Sequence, residues 1–199
     1  MKVKKFKSRK NSVELVRLGD LTLVRKQFSC LAGYEKERAI YELLQGKGLA
    51  VPRLACGSEE GVLLFEYLDA PTLCELLEQA EEGHCSEELL IEAYLLLFEW
   101  LQEFHSLTGQ CMRDMNARNF LFDGKTLYGL DFESVDDGIV EDDIGRALAF
   151  LMTYHPEGSS LKRAVQQRLE RFIADSKSLK DVAVEAAYHA ERRAMRERR

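Results

Sequence analysis

The segment MRDMNARNFLFDGKTLYGLDFE, residues 112–133, decides how the rest of this 199-residue chain is read. It opens polar, with Asp114 and Asn119 five residues apart, and turns apolar at Phe120, Leu121 and Phe122, a run short enough for a buried strand. Asp123-Gly124 then reads as a tight hairpin turn, because glycine takes positive φ without a Cβ clash. Leu127, Tyr128, Gly129 and Leu130 form the return strand, which carries Asp131 back beside the start of the hairpin. A loop, a hairpin and a strand end thus predict that Asp114, Asn119 and Asp131 meet. Each of the three taken alone reads as an ordinary turn residue, since Asp, Asn and Gly are what turns are made of. Two carboxylates and an amide gathered at one point are instead oxygen donors suited to a hard divalent cation.

Working outward, residues 13–16 and 21–24 read as two strands around the turn Gly19-Asp20, with Lys26 just after the second. In YEKERAIYELLQ (34–45), Ala39, Ile40, Leu43 and Leu44 make an apolar stripe at helical period, and Gly46 and Gly48 end the helix. Glu35 and Glu37 lie on that helix, where both also suit the positive end of its dipole. Val51-Pro52 and Leu54 read as a turn, and residues 62–68 as a strongly apolar strand. Thr72 to Glu75 is a capping box that starts a helix. A longer helix over 86–107 carries Leu90, Tyr94, Leu97, Phe98, Leu101 and His105 at helical spacing. Glu141-Asp142-Asp143 opens another, with Ile144, Ala147, Leu148, Leu151 and Met152 on one face, and helices over 160–174 and 178–197 complete the chain.

On these residues the chain resembles the protein-kinase-like superfamily. Its catalytic loop, H-x-D-x-x-x-x-N, is followed by D-F-G or, in small-molecule kinases, by D-F-D, D-W-E or D-F-E; here Met112-Arg113-Asp114 through Asn119 and Asp131-Phe132-Glu133 match. The wording D-x-N-A-x-N-x-L from Asp114 to Leu121 resembles the Kdo kinases of lipopolysaccharide synthesis. The brevity of the chain, the stretch EDDIGRALAFLMTYHPE (141–157) and the arginine-rich end resemble the RIO kinases and the small kinase subunit of the KEOPS machinery. The resemblance covers roughly residues 12 to 155.

It implies an α+β, two-lobed protein-kinase-like fold in a single domain, with a small β-rich N-lobe (1–68) and a shortened, mostly helical C-lobe (69–199). ATP and Mg²⁺ are the implied cofactors. Asp114 would orient an acceptor hydroxyl, Asn119 and Asp131 would hold metal, and Lys26 would contact the α- and β-phosphates. Glu37 is the implied partner of Lys26, with Glu35 the alternative that neither spacing nor periodicity separates from it. The backbones of Glu66 and Leu68 would receive adenine, Asp143 would accept N–H groups of the catalytic loop, and His105 reads as a packed structural histidine. The chain departs from the family at Met112, where a histidine is usual, at Glu133, where protein kinases have glycine, and in KSRKNS (7–12), which lacks the usual glycines. A small-molecule or sugar hydroxyl is the implied acceptor. An RNA- or protein-directed kinase or ATPase of the RIO or KEOPS type, and a pseudokinase binding module, are the alternatives.

Composition agrees with one soluble unit, since 46% hydrophobic residues suffice for a core. No stretch reaches the length of an uncharged membrane span, and MKVKKFKSRK lacks the apolar centre of a signal peptide, so a cytoplasmic protein is expected. Five scattered cysteines (Cys30, Cys56, Cys74, Cys85, Cys111) without a C-x-x-C pair argue against a disulfide framework or a zinc site. The net charge is −6, yet residues 1–10 carry six basic side chains and no acidic one, and ERRAMRERR at the end carries five arginines. Basic ends on an acidic body are either solvated termini or a surface for RNA phosphates.

Overall fold

The computed structural model describes residues 5, 6, 8, 10–55 and 59–198; the predicted basic residues Lys2, Lys4, Lys7, Arg9 and Arg199, and Cys56, lie outside these. Its class is mixed α+β. A four-stranded antiparallel sheet is built from β1 (Lys5–Phe6), β2 (Ser12–Leu18), β3 (Leu21–Gln27) and β4 (Val62–Glu66), in the order β1-β2-β3-β4. The predicted hairpin of β2 and β3 runs in register from Ser12↔Gln27 to Leu18↔Leu21, and β3 pairs onward with β4 from Leu23↔Glu66 to Gln27↔Val62. The strand expected over 62–68 therefore stops at Glu66.

Helix α1 (Leu31–Leu44) crosses between β3 and β4 in the chain and buries Tyr34, Glu37, Ile40, Tyr41 and Leu44. This stripe is rotated from the one the sequence suggests: Ile40 and Leu44 belong to it, but Ala39 and Leu43 face solvent. The true stripe has the same period and contains a glutamate, which an apolar pattern passes over.

Helix α2 (Leu73–Glu81) begins at the predicted capping box, where Glu75 N–H donates to Thr72 Oγ1 (3.2 Å) and Thr72 N–H to the Glu75 carboxylate (2.7 Å). Helix α3 (Glu87–Thr108) is capped by Ser86 Oγ, which accepts from Leu89 N–H at 3.1 Å, and ends at Gly109 in the left-handed conformation. It buries Leu90, Tyr94, Leu97, Phe98, Leu101 and Phe104, and each of the leucines and phenylalanines is worth about 1.5–3 kcal/mol of transfer free energy. His105 sits at its end with Nδ1 donating to the Gln110 carbonyl (3.2 Å).

The decisive segment folds as β5 (Gln110–Cys111), a polar loop, a one-turn 3-10 helix, and a hairpin of β6 (Phe120–Phe122) and β7 (Leu127–Gly129). Four residues connect the hairpin between the expected strand ends Phe122 and Leu127, and Asp123 Oδ1 closes them by accepting the N–H groups of Lys125 (2.9 Å) and Thr126 (2.8 Å). Strand β8 (Asp136–Asp137) pairs back onto β5. Helices α4 (Val140–Thr153), α5 (Ser160–Asp175) and α6 (Asp181–Glu197) follow. At Gly145 a Cβ would meet Val184 O at 2.5 Å and Ala187 Cβ at 2.6 Å, so only glycine lets α4 and α6 cross this closely. Gly129 does the same for the Trp100 ring, which a Cβ there would meet at 2.2 Å. Among the described residues no helix is long and apolar enough to cross a membrane, and Cys30, Cys74, Cys85 and Cys111 are free thiols.

Candidate functional site

Lys26 lies on β3 opposite Leu63 of β4 and Val13 of β2, and its ammonium is shared by two carboxylates. Nζ lies 2.6 Å from Glu37 Oε2 and 2.8 Å from Asp131 Oδ1, with 8% of the Lys26 side chain and 1% of Glu37 exposed. The rotated stripe of α1 is what turns Glu37 inward; Glu35 faces solvent. Burial opposes the Lys26 charge, but Glu37 and Asp131 outweigh it and hold the ammonium above its ordinary pKa. The Glu37 carboxyl is pushed up to about 7, first by burial and further by the Asp131 and Glu133 charges, against the pull of Lys26. The Phe28 ring covers Lys26 Nζ from 4.7 Å.

Asp131 reaches this pair because of the residue after it. Phe132 is fully buried, stacked on Phe104 (centroids 5.6 Å apart, 8° between planes) and edge-on to Tyr41 of α1 (4.9 Å, 74°). Anchoring Phe132 between α3 and α1 turns the preceding residue outward, and Asp131 takes φ 63°, ψ 72°, a left-handed conformation that aspartate tolerates better than most side chains. Just before it, Leu130 N–H donates to the Asn119 carbonyl (2.8 Å), which ties the strand end to the polar loop. Asn119 Nδ2 donates to the Asp114 carbonyl (3.1 Å), so Oδ1 is the Asn119 atom left for a cation. Asp114 itself is exposed, and its carboxylate accepts the N–H of Asn116 at 3.2 Å.

The loop is held from behind. Asp143, buried on the first turn of α4, accepts Met112 N–H (2.5 Å) and Arg113 N–H (3.1 Å) and pairs with Arg146 (3.3 Å). This fixes Arg113 at φ 63°; with Asp131 it is one of two non-glycine residues at positive φ among those described. Met112 is fully buried and packs into the apolar core. Tyr154, at the end of α4, donates its hydroxyl proton to Asn116 Oδ1 (2.9 Å) and accepts Ala117 N–H (2.9 Å).

No protein-family model and no curated protein matches the chain.

What the site can do is therefore set by its own chemistry. Direct contacts join Lys26, Glu37 and Asp131 in one group and Asp114 with Asn119 in another, and the Asn119–Leu130 bond links the two. Carboxylate oxygens of Glu37, Asp131 and Glu133 lie within 4.8 Å of one another, an oxygen-only set of the kind hard divalent cations take. Glu66 and Leu68 stand apart, at and just beyond the end of β4. Tyr67 N–H bonds the Thr22 carbonyl (3.4 Å), so strand alternation turns the Glu66 backbone away from β3, and its N–H goes to Arg53 O (2.9 Å). Arg53 N–H donates to the Glu66 carboxylate (2.9 Å) rather than to the Glu66 carbonyl.

Sequence reasoning missed Tyr154, Asn11 and Lys10. The last two hold Glu133: Asn11 Nδ2 donates to Oε2 (2.7 Å) and Lys10 Nζ lies 3.2 Å from Oε1. Tyr154 falls inside the stretch singled out above, and its position at a helix end beside the loop was the available signal. Nothing in the sequence marks Asn11.

Proposed function

We propose that the protein is an ATP- and Mg²⁺-dependent phosphotransferase, with the β1–β4 sheet and α1 forming the small lobe of a kinase-like fold and residues 69–199 the larger one. One observation carries this: a buried lysine from a strand shared between a helical glutamate and the aspartate of D-F-E, at 2.6 and 2.8 Å. A buried ammonium with two carboxylates is costly to build and adds little net stability, so a site that handles anionic phosphates is a better account of it than the fold alone.

In this reading Lys26 contacts the α- and β-phosphates, held by Glu37. The Glu66 carbonyl and the Leu68 N–H receive the adenine edge. Asn119 Oδ1 and the Asp131 carboxylate would hold Mg²⁺, which supplies neutralisation of the charge that builds on the phosphates. Asp114 accepts the proton of the acceptor hydroxyl as its oxygen bonds to the γ-phosphorus. The bond from that phosphorus to the β–γ bridging oxygen breaks, and ADP leaves. Electrostatic stabilisation by residues already in place does most of the work.

A small-molecule hydroxyl is the acceptor that the D-x-N-A-x-N and D-F-E wording favours, and the short helical region leaves little platform for a peptide. A second reading makes RNA the acceptor or partner. Tyr188, His189, Arg192, Arg193 and Arg196 of α6 line one concavity whose arginines suit phosphates, with Arg192 at present paired to Glu157 (3.1 Å). Incubation with labelled ATP and Mg²⁺ against panels of metabolites, RNA and protein separates these, with Asp114→Asn as control. Label transfer lost in the control supports the enzyme; nucleotide binding with no product from any panel leaves a binding module instead.

A further inference from the structure

The loop between β1 and β2 stands where a glycine-rich segment covers phosphates in the fold proposed above, yet residues 7–12 contain no glycine. Such loops grip anions through backbone N–H groups, and close approach of the backbone needs residues without a Cβ. Side chains have to substitute, and two of them point at the site. Lys10 and Asn11 each bind one oxygen of Glu133, which is 13% exposed and grouped with Asp131 and Glu37. Asn11 also accepts Ser29 N–H on Oδ1 (3.1 Å) and donates its own N–H to Ser8 Oγ (3.2 Å), so it is pinned to the chain just past β3 on one side and to Glu133 on the other. Lys10 is 68% exposed and tethered only by its charge.

The charges beside Lys26 are unequal: three carboxylates face two ammonium groups. A triphosphate entering next to Asp131 adds further anion, and Lys10 is the one described cation in reach besides Lys26 that its present partner holds weakly, since exposed ion pairs contribute little. Phosphate is a more highly charged acceptor than a single carboxylate. The two contacts to Glu133, 2.7 Å from Asn11 and 3.2 Å from Lys10, hold the loop down when no nucleotide is present.

We propose that Lys10 is a phosphate-binding residue of the nucleotide site, that Asn11 is its positioning residue, and that Glu133 docks both until a phosphate takes Lys10 over. This rests on the nucleotide-binding reading given above. Titration calorimetry of the full chain with MgATP and with adenosine tests it. Lys10→Ala should weaken MgATP binding roughly tenfold, the usual scale of one lost charge-assisted contact, and leave adenosine unchanged, while Lys10→Arg restores MgATP. Asn11→Ala should weaken MgATP comparably, and the double variant no further than either single one, because both act through one contact. Wild-type affinity for MgATP in Lys10→Ala overturns the assignment and leaves the nucleotide site standing; so does an equal loss for adenosine, which marks a merely structural loop. Failure of the wild-type chain to bind MgATP and adenosine at all overturns the nucleotide site, and this assignment with it.

Discussion

The two halves of the site are built on opposite principles. Lys26, Glu37 and Asp131 are joined by direct charge contacts, and the first two are buried between the sheet and α1. Asp114 and Asn119 lie in an open loop and are held through the backbone, by Asp143 and Tyr154 from α4 and by the Asn119–Leu130 bond. In the first half the functional side chains are also the structural ones, so chemistry and stability cannot be changed separately. In the second, the side chains bond only to backbone groups of their own loop, and the scaffold behind them bears the load. A protein that always meets the same nucleotide phosphates and presents a bare carboxylate to its acceptor would be divided in this way.

The sharpest break in this comparison is Asp114→Asn. The side chain is exposed, and its one contact from Asn116 N–H can be kept by the amide oxygen, so the thermal midpoint should not move. Turnover should fall by about 10³-fold, within the usual range for removing a proton acceptor. Phosphate transfer at the wild-type rate would remove Asp114 from the chemistry.

Lys26→Met should do the reverse and damage both properties together. It strands Glu37 and Asp131 without their cation, and breaking a buried pair from one side costs about 3 kcal/mol. Denaturant unfolding measures this, and adding Glu37→Gln to the variant should recover part of the loss. A Lys26→Met protein as stable as wild type would show that the buried ion pair contributes nothing.

These halves were not equally legible in the sequence. Asp114, Asn119 and Asp131 were singled out from spacing, and the hairpin does return the chain beside Asn119 through the Leu130–Asn119 bond, but the direct contact of the Asp131 carboxylate is with Lys26. The strand ends Phe122 and Leu127 were read correctly, but not that Asp123 closes the four residues between them by accepting two N–H groups. Glu37 could not be separated from Glu35, for a physical reason: the inward face of α1 was read from apolar residues, and the charged residue on that face is hidden from such a reading. Only Lys26, brought from elsewhere in the chain, makes that position tolerable for a carboxylate, against burial and the Asp131 charge. The Lys10–Asn11–Glu133 contact and the Tyr154 brace are long-range, and neither has a local pattern. Capping, by contrast, is local, and the start of α2 was read correctly from Thr72 and Glu75 alone.

A pH series sharpens the difference on the buried side. Burial and the neighbouring Asp131 and Glu133 lift the Glu37 carboxyl to about 7, whereas in the unfolded chain it has its ordinary value near 4.5. Between those values the folded protein holds a proton that the unfolded chain has released, so stability falls as pH rises through the window and levels off above it. Summed over the shift, the loss is up to ~3 kcal/mol. Asp143, raised mainly by burial, tilts the curve the same way, and Glu133 opposes it. The difference between wild type and Glu37→Gln isolates Glu37: the variant's stability should be flatter from about pH 4.5 to 7. Parallel curves would mean that Lys26 keeps Glu37 ionised throughout.

The smallest expected effect lies on the open side, at Tyr154. Among the described residues its hydroxyl is the acceptor of Ala117 N–H, and Ala117 is buried, so Tyr154→Phe leaves that donor unpaired and takes one donor from Asn116 Oδ1, which Arg118 N–H also bonds. A lost hydrogen bond of this kind costs about 1 kcal/mol of stability. The consequence for catalysis is more telling than its size. Asn116 and Ala117 lie between Asp114 and Asn119, so loosening them shifts the acceptor half while the Lys26 group, several bonds away through Leu130, keeps its geometry. Turnover should therefore drop a few-fold with the KM for ATP unchanged. If the KM for ATP rises instead, the two halves are coupled through the Asn119–Leu130 bond, and the division between a charge-held and a backbone-held half fails at the point where they touch.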